Sequence, residues 1–150
     1  QKAKKHYGMN TKQFKRFVSL AFDMEGNPGE NLIKLCERRL DNVLYRSTFA
    51  TSRQHARQLV AHGHVNVNGK RVTSPSFLLK PGDVVTPRGN ERIVNAFLNN
   101  MKLMSEEQNV PSWLKVESQP TPKIQMLSMP DTQELQVSLE HRFIIEFLSR

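Results

Sequence analysis

The sequence predicts a mixed α+β fold. Three observations carry that prediction. Apolar residues recur at helical spacing near 11–24, 30–46, 52–62 and 90–104. Val65 and Val67 alternate with polar neighbours and run into Asn68-Gly69, a pair suited to the primed turn of a tight hairpin. Beyond Met104 the chain is punctuated by Pro111, Pro120, Pro122 and Pro130, which leaves room only for short strands.

A basic lead occupies residues 1–6. In the first helix Phe14, Phe17, Val18, Ala21 and Phe22 form an apolar stripe, while Lys12, Lys15 and Arg16 face elsewhere. Gly26-Asn27-Pro28-Gly29 breaks it. A second helix is expected in one piece from about Glu30 to Arg46, burying Leu32, Ile33, Cys36, Leu40, Val43 and Leu44. Phe49 and Ala50 link it to a third helix over 52–62. Ser52 or Thr51 can cap that helix through its hydroxyl, and Gly63 supplies a left-handed stop. Strands are expected at about 64–67 and 70–73, and at Val84-Val85 after the Lys80-Pro81-Gly82-Asp83 turn. Gly89 or Asn90 then opens a helix that buries Ile93, Val94, Phe97, Leu98, Met101 and Met104. Trp113 reads as a core residue. Ser118–Pro122 reads as a mobile loop. Strand-like pieces follow at Ile124–Leu127 and Gln136–Val137, and a final turn or helix carries Phe143, Ile144, Phe147 and Leu148.

Charge is unevenly placed. The chain carries a net +8, but residues 1–90 hold 16 Lys and Arg against 6 Asp and Glu, whereas residues 91–150 hold 6 against 8. A concentrated basic half suggests a surface that faces a polyanion. The single cysteine, Cys36, cannot form an internal disulfide and reads as a buried structural thiol in a reducing compartment. No apolar run approaches the ~18 residues needed to span a bilayer, and no signal-peptide pattern is present. Nucleotide loops, nucleophile elbows and paired catalytic carboxylates are absent from the sequence, so an enzyme is not expected and no cofactor is implied.

The candidate binding residues centre on the third helix and its hairpin. Arg53 and Arg57, four apart, share one helix face, and their planar forks suit phosphate. Ser52 and Gln58 lie on the same helix. His62 and His64 can donate to phosphate or stack on a base, although His64 could equally be a structural residue at the strand start. Their spacing is poor for a metal, with no Cys or carboxylate near enough to complete a site. Asn66 and Lys70 flank the turn that Asn68-Gly69 makes. Arg39 and Arg46 extend the surface if their helix faces the same way, but one of Arg38 and Arg39 is expected to pair with Glu37 or Asp41. Lys2, Lys4 and Lys5, with Lys12, Lys15 and Arg16, read as an RNA-contacting arm and its helix. Tyr7 could stack on a base or anchor the first helix. A helix-turn-helix DNA-binding regulator is the rival reading of the same residues.

These residues also carry a resemblance. From Arg38-Arg39-Leu40-Asp41-Asn42 to Pro81-Gly82-Asp83, the chain resembles the small RNA-binding module named after ribosomal protein four. Arg57-Gln58-Leu59-Val60, His62-Gly63-His64 and Val67-Asn68-Gly69-Lys70 are its recurring words. The module also occurs in RNA-modifying and aminoacylating enzymes, so a fragment of such an enzyme is the second rival. The flanks are more specific. Tyr7-Gly8, Lys12-Gln13-Phe14, Gly29-Glu30-Asn31-Leu32, Pro111-Ser112-Trp113-Leu114 and the ending from Ile144 to Arg150 resemble the bacterial ribosomal protein four family over nearly the whole chain. The resemblance implies a helical domain with the module inserted, 38–90 within 1–37 plus 91–150. It further implies a cytoplasmic protein of the ribosome that binds small-subunit rRNA, nucleates the subunit body and influences decoding accuracy beside neighbouring proteins five and twelve. Some members repress their own mRNA. The family usually carries a further basic N-terminal segment, often with a cysteine cluster, whereas this chain begins at Gln1. It also has Gln54 and Ala61 where many relatives carry arginine.

Overall fold

A computed structural model describes residues 4, 7–106, 108–135 and 148. The expected Gln136–Val137 strand, the closing segment apart from Leu148, and Lys2, Lys5 and His6 lie outside the described residues. Two compact units emerge, residues 1–37 with 130–150, and residues 38–129.

In the first unit, helix α1 (Thr11–Asp23) packs on helix α2 (Pro28–Glu37). A capping box opens α1, with the Gln13 N–H donating to Asn10 Oδ1 at 2.8 Å. Phe17 and Ala21, four apart, set its buried line. Phe22, expected in that stripe, is 53% exposed, because position 22 lies a further 100° round the helix from Ala21. The Asn31 amide donates to the carbonyls of Ala21 (3.2 Å) and Glu25 (3.1 Å) and so ties the end of α1 to α2. Tyr7 is buried and donates to Glu37 Oε2 at 2.6 Å, which settles its role as an anchor.

The expected continuous helix over 30–46 is two helices. The second unit starts with α3 (Leu40–Arg46), and the break falls at Arg38-Arg39. Arg39 is extended (φ −61°, ψ 140°) and bridges Leu78. Leu40 N–H donates to the Phe77 carbonyl (2.8 Å), and Leu79 N–H donates to the Arg38 carbonyl (2.9 Å). These long-range bonds take the backbone groups that a continuous helix would use internally. After α3 come α4 (Arg53–Ala61), β1 (Val65–Val67), β2 (Lys70–Arg71), β3 (Val84–Pro87), α5 (Glu91–Met104), β4 (Leu114–Glu117) and β5 (Lys123–Met126).

The strands form one antiparallel sheet in the order β2-β1-β3-β5-β4. Strand β4 was not expected from the sequence, and β2 is shorter than expected. Val65, Val67, Val85, Leu114, Ile124 and Met126 fill the buried face. Asn90 caps α5 by accepting from the Ile93 N–H at 3.1 Å. Phe97 of α5 is buried with its ring centroid 5.4 Å from that of Phe49, and the Asn100 amide donates to the Phe49 carbonyl at 3.0 Å. Trp113 is buried, in keeping with a core role. Because β5 pairs with β3, the compact unit that holds the helix-hairpin continues past residue 90 to Met129.

Candidate nucleic-acid interface

Helix α4 forms where local signals place it. Ser52 Oγ accepts from the His55 N–H at 3.0 Å, and Ala56 and Val60 are its buried positions. Its other end is a Schellman closure. The N–H of Gly63 (φ +78°) donates to the Val60 carbonyl at 2.9 Å, and that of His64 donates to the Leu59 carbonyl at 3.0 Å. The chain turns again at Asn68 (φ +51°) and Gly69 (φ +80°), a primed turn. The Asn68 side chain pins the hairpin to the rest of the sheet. Its amide donates to Asp83 Oδ1, and its Oδ1 accepts from the Val84 N–H, both at 2.9 Å. Gln54, Arg57, Gln58, Ala61 and His62 remain exposed, so the open side of α4 is broad and polar.

Arg53 leans toward α3. Arg53 is half-buried, donates to Asn42 Oδ1, and holds its guanidinium carbon 4.8 Å from the Tyr45 ring centroid. Arg57 is exposed, yet its charge reaches Asp41. Asp41 is buried, accepting from Arg39 Nε (3.1 Å) and Nη2 (2.9 Å) and from the Asn42 N–H (2.7 Å). Burial pushes its carboxyl above the ordinary range. The charge and fork of Arg39, the Asn42 N–H and the charge of Arg57 pull the other way.

Arg39 therefore corrects the expectation. It was expected at the binding surface, but it is 1% exposed and serves as the internal partner of Asp41. Its neighbour Arg38 is half-buried and donates from Nε to the Leu79 carbonyl at 2.8 Å; burial pushes its guanidinium down, against the pull of Asp83. Arg46 is half-buried at the end of α3.

His62 and His64 lie edge-on, with ring centroids 6.4 Å apart. Among the described residues no three His, Cys, Asp or Glu side chains converge as a metal site would require. The Arg71 guanidinium covers Gly63 so closely that a Cβ there would fall well inside contact distance. Arg88 Nη1 donates to Asn66 Oδ1 at 3.3 Å. Lys70 is in register with Val67, so it projects toward the other face of the hairpin from Asn66, at an exposed edge. Asn42, Tyr45, Arg71 and Arg88 are the residues that sequence reasoning left out of the site. The paired glycine and arginine become visible only in three dimensions.

The other cations expected at the interface belong to the first unit. Lys4 Nζ donates to Thr11 Oγ1 at 2.9 Å. Lys12, Lys15 and Arg16 are exposed along α1, and Arg16 lies 6.0 Å from the Phe17 ring centroid. No helix among the described residues is long and apolar enough to cross a membrane.

Known proteins resemble this chain over its whole length. The profile of the S4 domain matches residues 38–85, and that of the ribosomal protein S4/S9 N-terminal domain matches residues 1–37. Over all 150 residues the chain is 43% identical to small ribosomal subunit protein uS4 of Thermoanaerobacter pseudethanolicus, covering 71% of that protein. It is 41% identical to the uS4 proteins of Thermodesulfovibrio yellowstonii and Chlorobium limicola, again over the whole chain, covering 71% and 73% of them.

Proposed function

The chain belongs to the family of small ribosomal subunit protein uS4, and on that premise we propose that it is a primary rRNA-binding protein that helps to build the small subunit body in the cytoplasm. The family is structural rather than enzymatic. One observation carries the binding mode: Arg53 is braced by Asn42 and Tyr45 beside exposed Arg57 on the open side of α4. A braced guanidinium beside an exposed one suits the phosphates and 2′-hydroxyls of a folded junction, where recognition is mostly of shape.

Ser52, Gln58, His62, His64 and Asn66 complete this surface in the proposal, with Arg46 and Lys70 at its margins. Lys4, Lys12, Lys15 and Arg16, together with Lys2 and Lys5, supply a second basic element that contacts rRNA. Contact with neighbouring small-subunit proteins, specifically five and twelve, an effect on decoding accuracy, and binding of its own mRNA are further parts of this reading, supported by the family relationship alone.

The experiment is binding to a folded small-subunit rRNA junction fragment across several salt concentrations, with tRNA and duplex DNA as competitors. Tight binding that survives both competitors is expected. Loss of binding to any polyanion alike would refute a specific rRNA role for this chain. Preference for duplex DNA would favour the regulator reading instead.

A further inference from the structure

The strand registers place a row of cations on the open face of the sheet. Asn66 is in register with Arg71 on one side and Thr86 on the other, so these three side chains share a face. Arg88, two residues beyond Thr86, reaches back to Asn66 on that face. Val84 pairs with Gln125, which pairs with Lys115, and Lys123 pairs with Glu117. The intervening residues Val65, Val85, Ile124 and Leu114 point to the core. Arg71, Arg88, Lys115 and Lys123 therefore stand on one surface, with Glu117 as the acid among them.

We propose that this open sheet face is a second stretch of RNA-backbone contact, adjoining the α4 surface at Gly63 and Asn66 and running away from it across the sheet, in which Arg71, Arg88, Lys123 and Lys115 meet phosphates of one strand. The inference rests on the rRNA-binding reading and deepens it. Five strands at ~4.8 Å spacing span about 19 Å between the outer two, so Arg71 on β2 and Lys115 on β4 lie at opposite edges, with Arg88 and Lys123 between them. Charge complementarity selects a polyanion as the occupant. Arg71 and Arg88 are both exposed; Arg71 lies over Gly63, and Arg88 is held by Asn66.

Glu117 makes the proposal testable by sign. It sits 3.1 Å from Lys115 and 3.6 Å from Lys123, and both lysine side chains stay substantially open, 57% and 43% exposed. The lysines hold its carboxyl below the ordinary range, the hydrogen bond from Lys115 first and the charge of Lys123 next. A carboxylate in that place opposes an approaching phosphate strand. If RNA lies on this face, Glu117→Gln removes the repulsion and tightens binding. If the face is only solvated, the substitution does no more than the same charge change elsewhere.

The test uses the rRNA junction fragment with the whole chain. Glu117→Gln is expected to tighten binding by about two- to threefold relative to Glu106→Gln, an exposed control off the sheet. Lys115→Gln/Lys123→Gln is expected to lower the slope of log affinity against log salt by about 1.5, two contacts at about 0.7–0.9 each. If Glu117→Gln and Glu106→Gln behave alike, and the double lysine variant keeps the wild-type slope while Arg53→Ala weakens binding, the second contact is overturned and the rRNA reading stands. If the unaltered chain shows no preference for the junction over tRNA and duplex DNA, the rRNA reading fails and takes this inference with it.

Discussion

Replacing Gly63 by alanine separates two costs that the structure puts at one atom. Gly63 has φ +78°, in the left-handed region, where an added Cβ costs about 1–2 kcal/mol. The same Cβ would collide with Nη2, Nε and Cζ of Arg71. The far end of a flexible side chain moves more cheaply than backbone, so displacing Arg71 should add only about 0.5–1 kcal/mol, at the low end for coupled neighbours. Gly63→Ala should therefore destabilise by about 1.5–3 kcal/mol, at about 4–8 °C in Tm per kcal/mol for a domain of 60–100 residues. Arg71→Ala, at an exposed site, should stay within about 0.5 kcal/mol of wild type. In the Arg71→Ala background only the left-handed cost should remain. Urea denaturation of wild type, both single variants and the double variant closes the cycle. An equal cost of Gly63→Ala in both backgrounds would mean that the guanidinium approach plays no part. A cost below about 0.5 kcal/mol would refute the left-handed assignment itself, since alanine pays no such penalty elsewhere.

Three further outcomes follow from named contacts. Asn42→Ala should weaken RNA binding in the same direction as Arg53→Ala, for which about 1–3 kcal/mol is expected of a charge-assisted contact, because Asn42 holds the Arg53 guanidinium; an Asn42→Ala chain that folds normally and binds like wild type would show that the brace is idle. Asp41→Asn should destabilise by about 3–5 kcal/mol, since Arg39 would stay buried without its carboxylate, whereas replacing both by apolar residues should cost far less, and chemical denaturation distinguishes the two. Gln54→Arg/Ala61→Arg adds cations to the exposed side of α4 and should steepen the salt dependence of RNA affinity; parallel log–log plots would refute the placement of RNA on that side.

What the sequence disclosed depended on the range of the interaction. The helix-hairpin was legible because each of its signals is local: a hydroxyl at Ser52, a glycine at 63, an Asn-Gly pair at 68–69. The break at Arg38-Arg39 was not, because the groups that end the helix belong to Phe77, Pro75 and Leu79, some forty residues away. Apolar periodicity continues straight through the break, so spacing alone favoured one helix. Strand β4 was hidden for a related reason. Its alternation, Leu114 and Val116 against Lys115 and Glu117, is only four residues long, and what makes it a strand is the partner β5. The site divided in the same way. Arg53 and Arg57 entered the proposed interface from their spacing and chemistry, while burial took Arg39 out of it.

The bracing contacts explain how modest local interactions can serve recognition of a folded RNA. A free arginine side chain carries about 2 kcal/mol of rotamer entropy, and part of it is lost when the side chain is fixed on a phosphate. Arg53 held by Asn42 and Tyr45, and Arg88 on Asn66, have already lost some of that freedom in the folded chain. The ordering cost is then met during folding rather than during binding, and the affinity rises by the difference. The same ordering fixes the distances between cations, which is what discriminates one arrangement of phosphates from another when no base edge is read. Loose lysines on the same surface would raise affinity for every polyanion equally. Braced arginines favour the one RNA shape whose phosphates match their spacing, so removing a brace should reduce the preference for the rRNA junction over tRNA more than it reduces binding to tRNA.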